Sequence, residues 1–474
     1  SPRLPVRSML EPCLRLAVLV ALATSGLAAA QPPGNPAPAG EAPQVPAAAD
    51  ANAPAIPTTE PERTLATWFG HVESDNLART VTPEEGSYES VGLLLGLGHT
   101  STRLDASIDA DLEYRSYSID TLDDETVGTL TAAAEVDIVQ DRFSWEFTDA
   151  YGQGITDPFA GIGPGNREKV NVLGTGPRAD LPLGDRMSLE LRGTYSERRF
   201  DESSQVDSDS LLYELTLYRQ ISLTARAGLG ASTNEVEYVD VFAPKYQIDR
   251  LGLRYEKELA TGRVLAEAGE NEISSGSFAS DGPLYNFVWT RSLTARSELS
   301  LRAAQEITDS GSALQTALAP GLEGSSFTDV VVTPNPFEQQ RLGVSYLLTM
   351  SRTVVSAGLD SMKDDYIGNA PYDNDSTAVS LRFERTISPR LSVGIGYGRV
   401  DRDFTDTPGA QSDGRDDWTG AWLSRALGRR FSFGLAILSY DRSGAESYDE
   451  QRYELRIGYS PTDSGAASMA SVGR

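Results

Sequence analysis

From Leu65 onward apolar and polar residues alternate with period two, and no 3.6-residue stripe interrupts the pattern. The stretch RLDASIDADLEYRSY at 103–117 puts Leu104, Ala106, Ile108, Ala110, Leu112 and Tyr114 on one side. Arg103, Asp105, Asp109, Asp111, Glu113 and Arg115 fall on the other. Met187, Leu189, Leu191, Gly193 and Tyr195 alternate with Ser188, Glu190, Arg192 and Thr194 in the same way. Two later stretches, 391–398 and 453–459, repeat the pattern. Such stretches read as strands with two unlike faces. Several exceed ten residues, whereas strands of soluble domains typically run to about five or six.

The connections alternate too. One class is tight and brings an arginine just before the new strand, as in TSTRL at 100–104, VQDRF at 139–143, LGDRM at 183–187, ATGRV at 260–264 and LGRRF at 427–431. The other class is long, acidic and rich in Gly, Pro, Asp and Ser, as in 201–210, 363–375 and 401–417, and is longest at about 308–337. Strict alternation of short turn and long loop is the signature of an up-and-down transmembrane barrel, with the turns in the periplasm and the loops outside. The expected fold is therefore all-β, a transmembrane antiparallel β-barrel of about twenty strands spanning 63–460. The count falls to eighteen if the weaker patterns at 67–77 and 330–332 are not strands. Tyr114, Tyr195, Tyr255, Tyr397, Phe431 and Tyr459 lie near the ends of apolar faces, as an interfacial girdle requires. A secreted soluble β-sandwich or solenoid is the alternative for the fold.

The flanking segments change the picture at its edges. Met9 is the expected true start. Arg15, the apolar run Leu16 to Leu22 and the Ala28-Ala29-Ala30 site before Gln31 make residues 1–30 upstream residues plus a secretory signal peptide. Residues 31–62 are rich in Pro and Ala with almost no large apolar side chains, so they read as a disordered linker. Residues 461–474 form a polar tail, also expected to be disordered.

Composition narrows the chemistry. The 474 residues carry 41 Lys plus Arg against 68 Asp plus Glu, a net charge of −27, which argues against a nucleic-acid partner. Cys13 is the one cysteine, and His71 and His99 are the only histidines, so disulfides within the chain are excluded and a Cys/His metal site has almost no ligands. No cofactor, metal site or catalytic residue is expected. Asp109 and Asp111 sit two apart on one strand face, a spacing compatible with acid/base work, but a charge-lined lumen produces such pairs routinely. The acidic loops lack a calcium-loop pattern and read as solvated.

On the alternation, the lumen-lining candidates are Asp105, Asp109, Asp111, Glu113, Glu190, Arg192, Glu214, Arg226, Arg254, Glu256, Glu298, Arg302, Arg382, Glu384, Glu454 and Arg456. Interleaved signs fit either cross-strand ladders that brace the wall or a ring that selects solutes. Side chains alone should not fill a barrel of about twenty strands, and the loop at 308–337 is expected to fold inward.

DRFSWEFTDAYGQGITDPF at 141–159, NREKVNVLGTGPRADLPLG at 166–184 and ESDNLARTVTP at 73–83 resemble the β-barrel porin group. Within it, they are most similar to outer-membrane barrels associated with exosortase and exopolysaccharide gene clusters of Gram-negative bacteria. The resemblance implies localisation in the outer membrane and a non-enzymatic, porin-like channel or conduit linked to exopolysaccharide export. The expected partners are outer-membrane lipid, lipopolysaccharide, the barrel-assembly machinery and polysaccharide-export components. The alternative function is a structural or surface-interaction barrel with a closed lumen and partner-binding acidic outer loops.

Overall fold

The computed structural model describes residues 64–461, apart from 158, 161–162, 240–244, 277, 319–329, 369–371, 405–413 and 445. The expected signal peptide and linker, and all but the first residue of the polar tail, lie outside the described residues.

Twenty strands follow one another around a single sheet. They begin with β1 (Thr64–Ser74), β2 (Gly86–Thr100), β3 (Leu104–Tyr117), β4 (Glu125–Val139) and β5 (Phe143–Ile155). Next come β6 (Arg167–Pro182), β7 (Met187–Phe200), β8 (Ser208–Ser222), β9 (Ala225–Tyr238) and β10 (Tyr246–Leu259). The second half opens with β11 (Gly262–Ser275), β12 (Ala279–Thr294), β13 (Ser297–Thr308), β14 (Phe337–Met350) and β15 (Thr353–Tyr366). It ends with β16 (Asn374–Ser388), β17 (Leu391–Phe404), β18 (Gly414–Leu427), β19 (Phe431–Ser443) and β20 (Tyr448–Tyr459). One helix, α1 (Ser310–Leu318), lies between β13 and β14.

Each strand pairs antiparallel with its sequence neighbour, and β1 pairs with β20 from Thr67↔Tyr459 to Ser74↔Arg452. The sheet is thus closed and has no edge, which satisfies the main chain without water. Nine tight turns gather at one rim and ten connections, most of them longer, at the other, with Thr64 and Tyr459 at the short-turn rim. At two of the tight turns, Gly184 and Gly428 adopt φ of 91° and 87°, a region that glycine enters without strain. The first weak pattern is a strand, β1, shifted by about three residues from its expected place. The second, at 330–332, is a correction: Val331 makes only a single parallel bridge with Ile155.

Large apolar side chains cover the outside at the level of the short-turn half. On β9 and β10, Leu229, Leu251 and Leu253 are 50%, 57% and 65% exposed. The girdle residues take two levels. Toward the long-loop rim, Tyr114, Tyr195 and Tyr397 direct hydroxyls to Asp124 (2.9 Å), Glu197 (3.1 Å) and Asp417 (3.0 Å). Phe431 and Tyr459 pack at 5.3 Å between ring centroids at the opposite rim, and Tyr255 lies in the same half.

Nearer the long-loop rim the two faces exchange character. On the same β9–β10 pair Val236, Tyr246 and Ile248 are buried on the inside, while Glu235, Glu237 and Lys245 form ion pairs on the outside. β6 does likewise, with Val170 and Val172 inside and Lys169 outside, paired with Asp201 at 3.0 Å. The wall therefore has two zones. Below, it is apolar outside and charged inside; above, it is charged outside, and its inside mixes apolar clusters with buried ion pairs such as Glu450–Arg452 and Arg198–Asp309.

Candidate functional site

The strand register puts all sixteen candidate residues on the face opposite the exposed apolar band. Most of them join chains of ion pairs. On the arc from β5 to β7, Glu146 meets Arg192 at 2.6 Å and Arg178 at 3.6 Å, and Arg178 also meets Glu190 and, at 3.1 Å, Asp180. Farther round, Arg254 joins Glu214 of β8 and Glu267 of β11, the latter at 3.0 Å. Arg226 reaches Glu256 at 2.9 Å, and the Tyr218 hydroxyl donates to that carboxylate at 3.0 Å.

A second chain crosses the closing pair of strands. Glu113 meets Arg115 at 3.4 Å and Arg456 at 3.3 Å, and Arg456 also pairs with Glu454. Nearer the long-loop rim Glu450 holds Arg452 at 3.0 Å and Arg79 at 2.7 Å. On the far arc Arg382 pairs with Glu384 at 3.5 Å and lies 4.4 Å over the Trp422 ring. The Trp422 indole lies flat against Gly394, where an added Cβ would fall 2.1 Å from the ring. Among the described residues, no ion-pair partner stands within 4 Å of Arg302 or Glu298. Asp105, Asp109 and Asp111 line the β3 wall, with Asp109 opposite Gly96 and Thr131. Apart from Asp180, these ion-paired side chains are at most about a quarter exposed, so removing one partner leaves a poorly hydrated charge behind.

Residues absent from the expected set close the upper zone. After Thr308 the chain leaves the wall, and Asp309 caps α1 by accepting the Ser312 N–H at 2.9 Å. Arg198 of β7 pairs with Asp309 at 3.0 Å and donates to the Ser312 hydroxyl at 3.0 Å. The helix sets Ala313 and Leu314 among Val170, Val172, Phe200, Val206, Val330, Phe337 and Tyr366, which joins β6 and β7 to β14 and β15. These strands lie on opposite arcs of a twenty-strand ring, so the segment spans the lumen. On the return, Ile155 donates to Val330 O at 3.2 Å and Val332 donates to Ile155 O at 2.9 Å. The Ser310 hydroxyl donates to Thr333 O at 2.7 Å and closes the base of the loop.

The β5–β6 connection crosses the lumen as well. Phe159 packs on Phe404 of β17 at 4.7 Å between centroids, and Arg442 of β19 donates to Phe159 O at 2.9 Å. The sequence signal for this upper core was the phase slip within single strands, as in Glu168, Val170 and Val172 on the same face as Arg178. No group of three or more His, Cys, Asp or Glu side chains suited to a metal ion is found among the described residues.

No protein-family model matches the chain, and no curated protein does. Among solved structures, the FrpB iron transporter from Neisseria meningitidis aligns over 84% of this chain and 82% of its own, at 8% identity and a TM-score of 0.42. OccK8 (OprE) of Pseudomonas aeruginosa aligns over 85% and 98%, at 13% identity and a TM-score of 0.34. OprD of the same organism aligns over 84% and 95%, at 11% identity and a TM-score of 0.35. The fold assignment rests on the chain's own strand ladder.

Proposed function

We propose that this chain is a non-enzymatic outer-membrane barrel of a Gram-negative bacterium and acts as a porin-like channel. One observation carries the reading: the apolar band outside and the charged wall inside occupy the same level of a closed sheet. Acyl chains solvate the first and water the second, an arrangement that suits a spanning barrel and would expose a wide apolar belt in any soluble protein. On this reading the short-turn rim is periplasmic and the long-loop rim external. Lipid and lipopolysaccharide surround the band, and the assembly machinery inserts the strands. The lumenal ion pairs set the field through which solutes pass. A link to exopolysaccharide export is carried by the resemblance of 141–159 and 166–184.

The cap formed around α1 favours a second reading, a structural or surface-interaction barrel with a closed lumen. Single-channel recording in planar bilayers separates the two. Conductance that rises when 310–333 is shortened to a Gly-Ser link supports a channel constricted by this loop. A barrel that stays silent with and without the segment supports the second reading.

A further inference from the structure

The ladder between β4 and β5 stops short of the long-loop rim. Its last pair is Leu130↔Tyr151, although β4 continues to Glu125 and β5 to Ile155. Above that pair the strands are joined by side chains. The Gln153 amide donates to Gly128 O at 3.0 Å and accepts the Gly128 N–H at 3.3 Å, and the Tyr151 hydroxyl donates to Thr126 O at 3.1 Å. Gly128 has a φ of 116°, and an added Cβ would fall 1.9 Å from the Asp111 carbonyl oxygen, so only glycine fits at this point of β4. The flanking ladders are complete, to Arg115↔Glu125 on one side and Ile155↔Arg167 on the other. The β12–β13 ladder also ends early, at Tyr285↔Gln305, but there β12 carries Pro283, which has no N–H to give.

Its height and lining are specific. Thr126 pairs with Tyr114, so the gap sits at the upper tyrosine level with Leu130 just beneath it. On the outer face one rung below Tyr151, Asp149 is 4% exposed and accepts from Asn171 at 2.7 Å, directly above the exposed Phe147 and Trp145. A carboxylate and two amides thus meet an apolar surface at the level of lipid head groups. Inside, Ala150, Gly152 and Gly154 leave the wall thin, backed by Leu314, Val330 and Val332 of the inserted loop. Parting a main-chain rung in lipid orphans groups at several kcal/mol each. Here the rungs already depend on two side chains that swing about a few bonds.

We propose that this seam is a lateral portal, through which an amphiphile with a hydrogen-bonding head and an alkyl tail passes between the outer leaflet and the lumen. The head replaces the Gln153 contacts and meets Asn171 and Asp149, while the tail stays on Leu130 and Phe147. The inference rests on the membrane-channel reading.

The test uses full-length protein in proteoliposomes and a nitrobenzoxadiazole-labelled dodecyl maltoside added outside. Arrival of the probe in the vesicle interior and ion conductance are both measured. The protein is expected to accelerate arrival. Bridging T126C to Q153C with a short bifunctional maleimide, in a C13S background, should return arrival to the protein-free rate and leave conductance unchanged. Conductance without accelerated arrival, or arrival indifferent to the bridge, overturns the portal alone; absence of conductance overturns the channel reading beneath it. Should the cysteine variant fail to fold, amide exchange on the native chain decides. Thr126 and Gly128 must exchange faster than Ala132 and Ala134, which face the intact part of the same ladder, and equal rates overturn the portal.

Discussion

Arg198 on β7 and Asp309, the first residue beyond β13, meet at 3.0 Å with side chains only 5% and 3% exposed. This contact ties the wall to a segment that crosses the lumen, so it is where the state of the mouth is most open to change. Asn caps a helix about as well as Asp, so Asp309→Asn removes the charge and keeps the cap. A guanidinium left buried without its counter-ion costs about 3–5 kcal/mol. We expect α1 to leave its seat and single-channel conductance to rise. A variant with native conductance and native protease resistance within 310–333 would show that the pair does not hold the loop.

Gly154 permits the parallel bridge to the returning loop. An added Cβ would lie 2.8 Å from Val332 Cγ2 and 3.0 Å from Val330 O. Gly154→Val therefore forces the two segments apart, a steric cost of about 1–3 kcal/mol. Amide exchange at Val332 should quicken while Val170 and Val172, on the next strand, keep their protection. Unchanged exchange at Val332 would mean the loop accommodates the side chain.

On the channel reading, the inner-wall ion pairs should set ion preference. Arg254 is shared by Glu214 and Glu267, so Arg254→Met leaves two carboxylates facing water without their common cation. The reversal potential in a salt gradient should shift toward cation preference, and E214Q combined with E267Q should shift it the other way. Identical potentials in all three proteins would remove this part of the wall from the conduction path.

The two-zone wall predicts where lipid ends. Ile437 and Asp441 both face outward on β19, four residues apart. Ile437→Arg places a guanidinium against acyl chains, at about 2–4 kcal/mol if near the midplane, whereas Asp441→Arg in the upper zone should cost about 0–1 kcal/mol. Denaturant unfolding in lipid vesicles measures both. Equal costs would contradict the boundary drawn between the zones.

The amino-acid sequence by itself determined the closed antiparallel ring, most of its strands and turns, and which residues alternate on a common face. Each of these depends on a period of two and on local turn chemistry, which neighbouring residues specify. It also marked 308–337 as too long for a plain connection. Only the tertiary structure decided which side chains meet. That Arg198 finds Asp309, or Phe159 finds Phe404, depends on ring curvature that brings distant strands face to face. The exchange of faces near the long-loop rim was written in Val170, Val236 and Ile248, but alternation alone does not say which medium lies on either side. An apolar residue facing inward is a fault in a water-filled tube and a core residue once a loop is folded over it. The broken rungs between β4 and β5 were invisible for a related reason: Gln153 has ordinary strand spacing, and only the end of the ladder at Leu130↔Tyr151 lets its amide take the place of the backbone at Gly128.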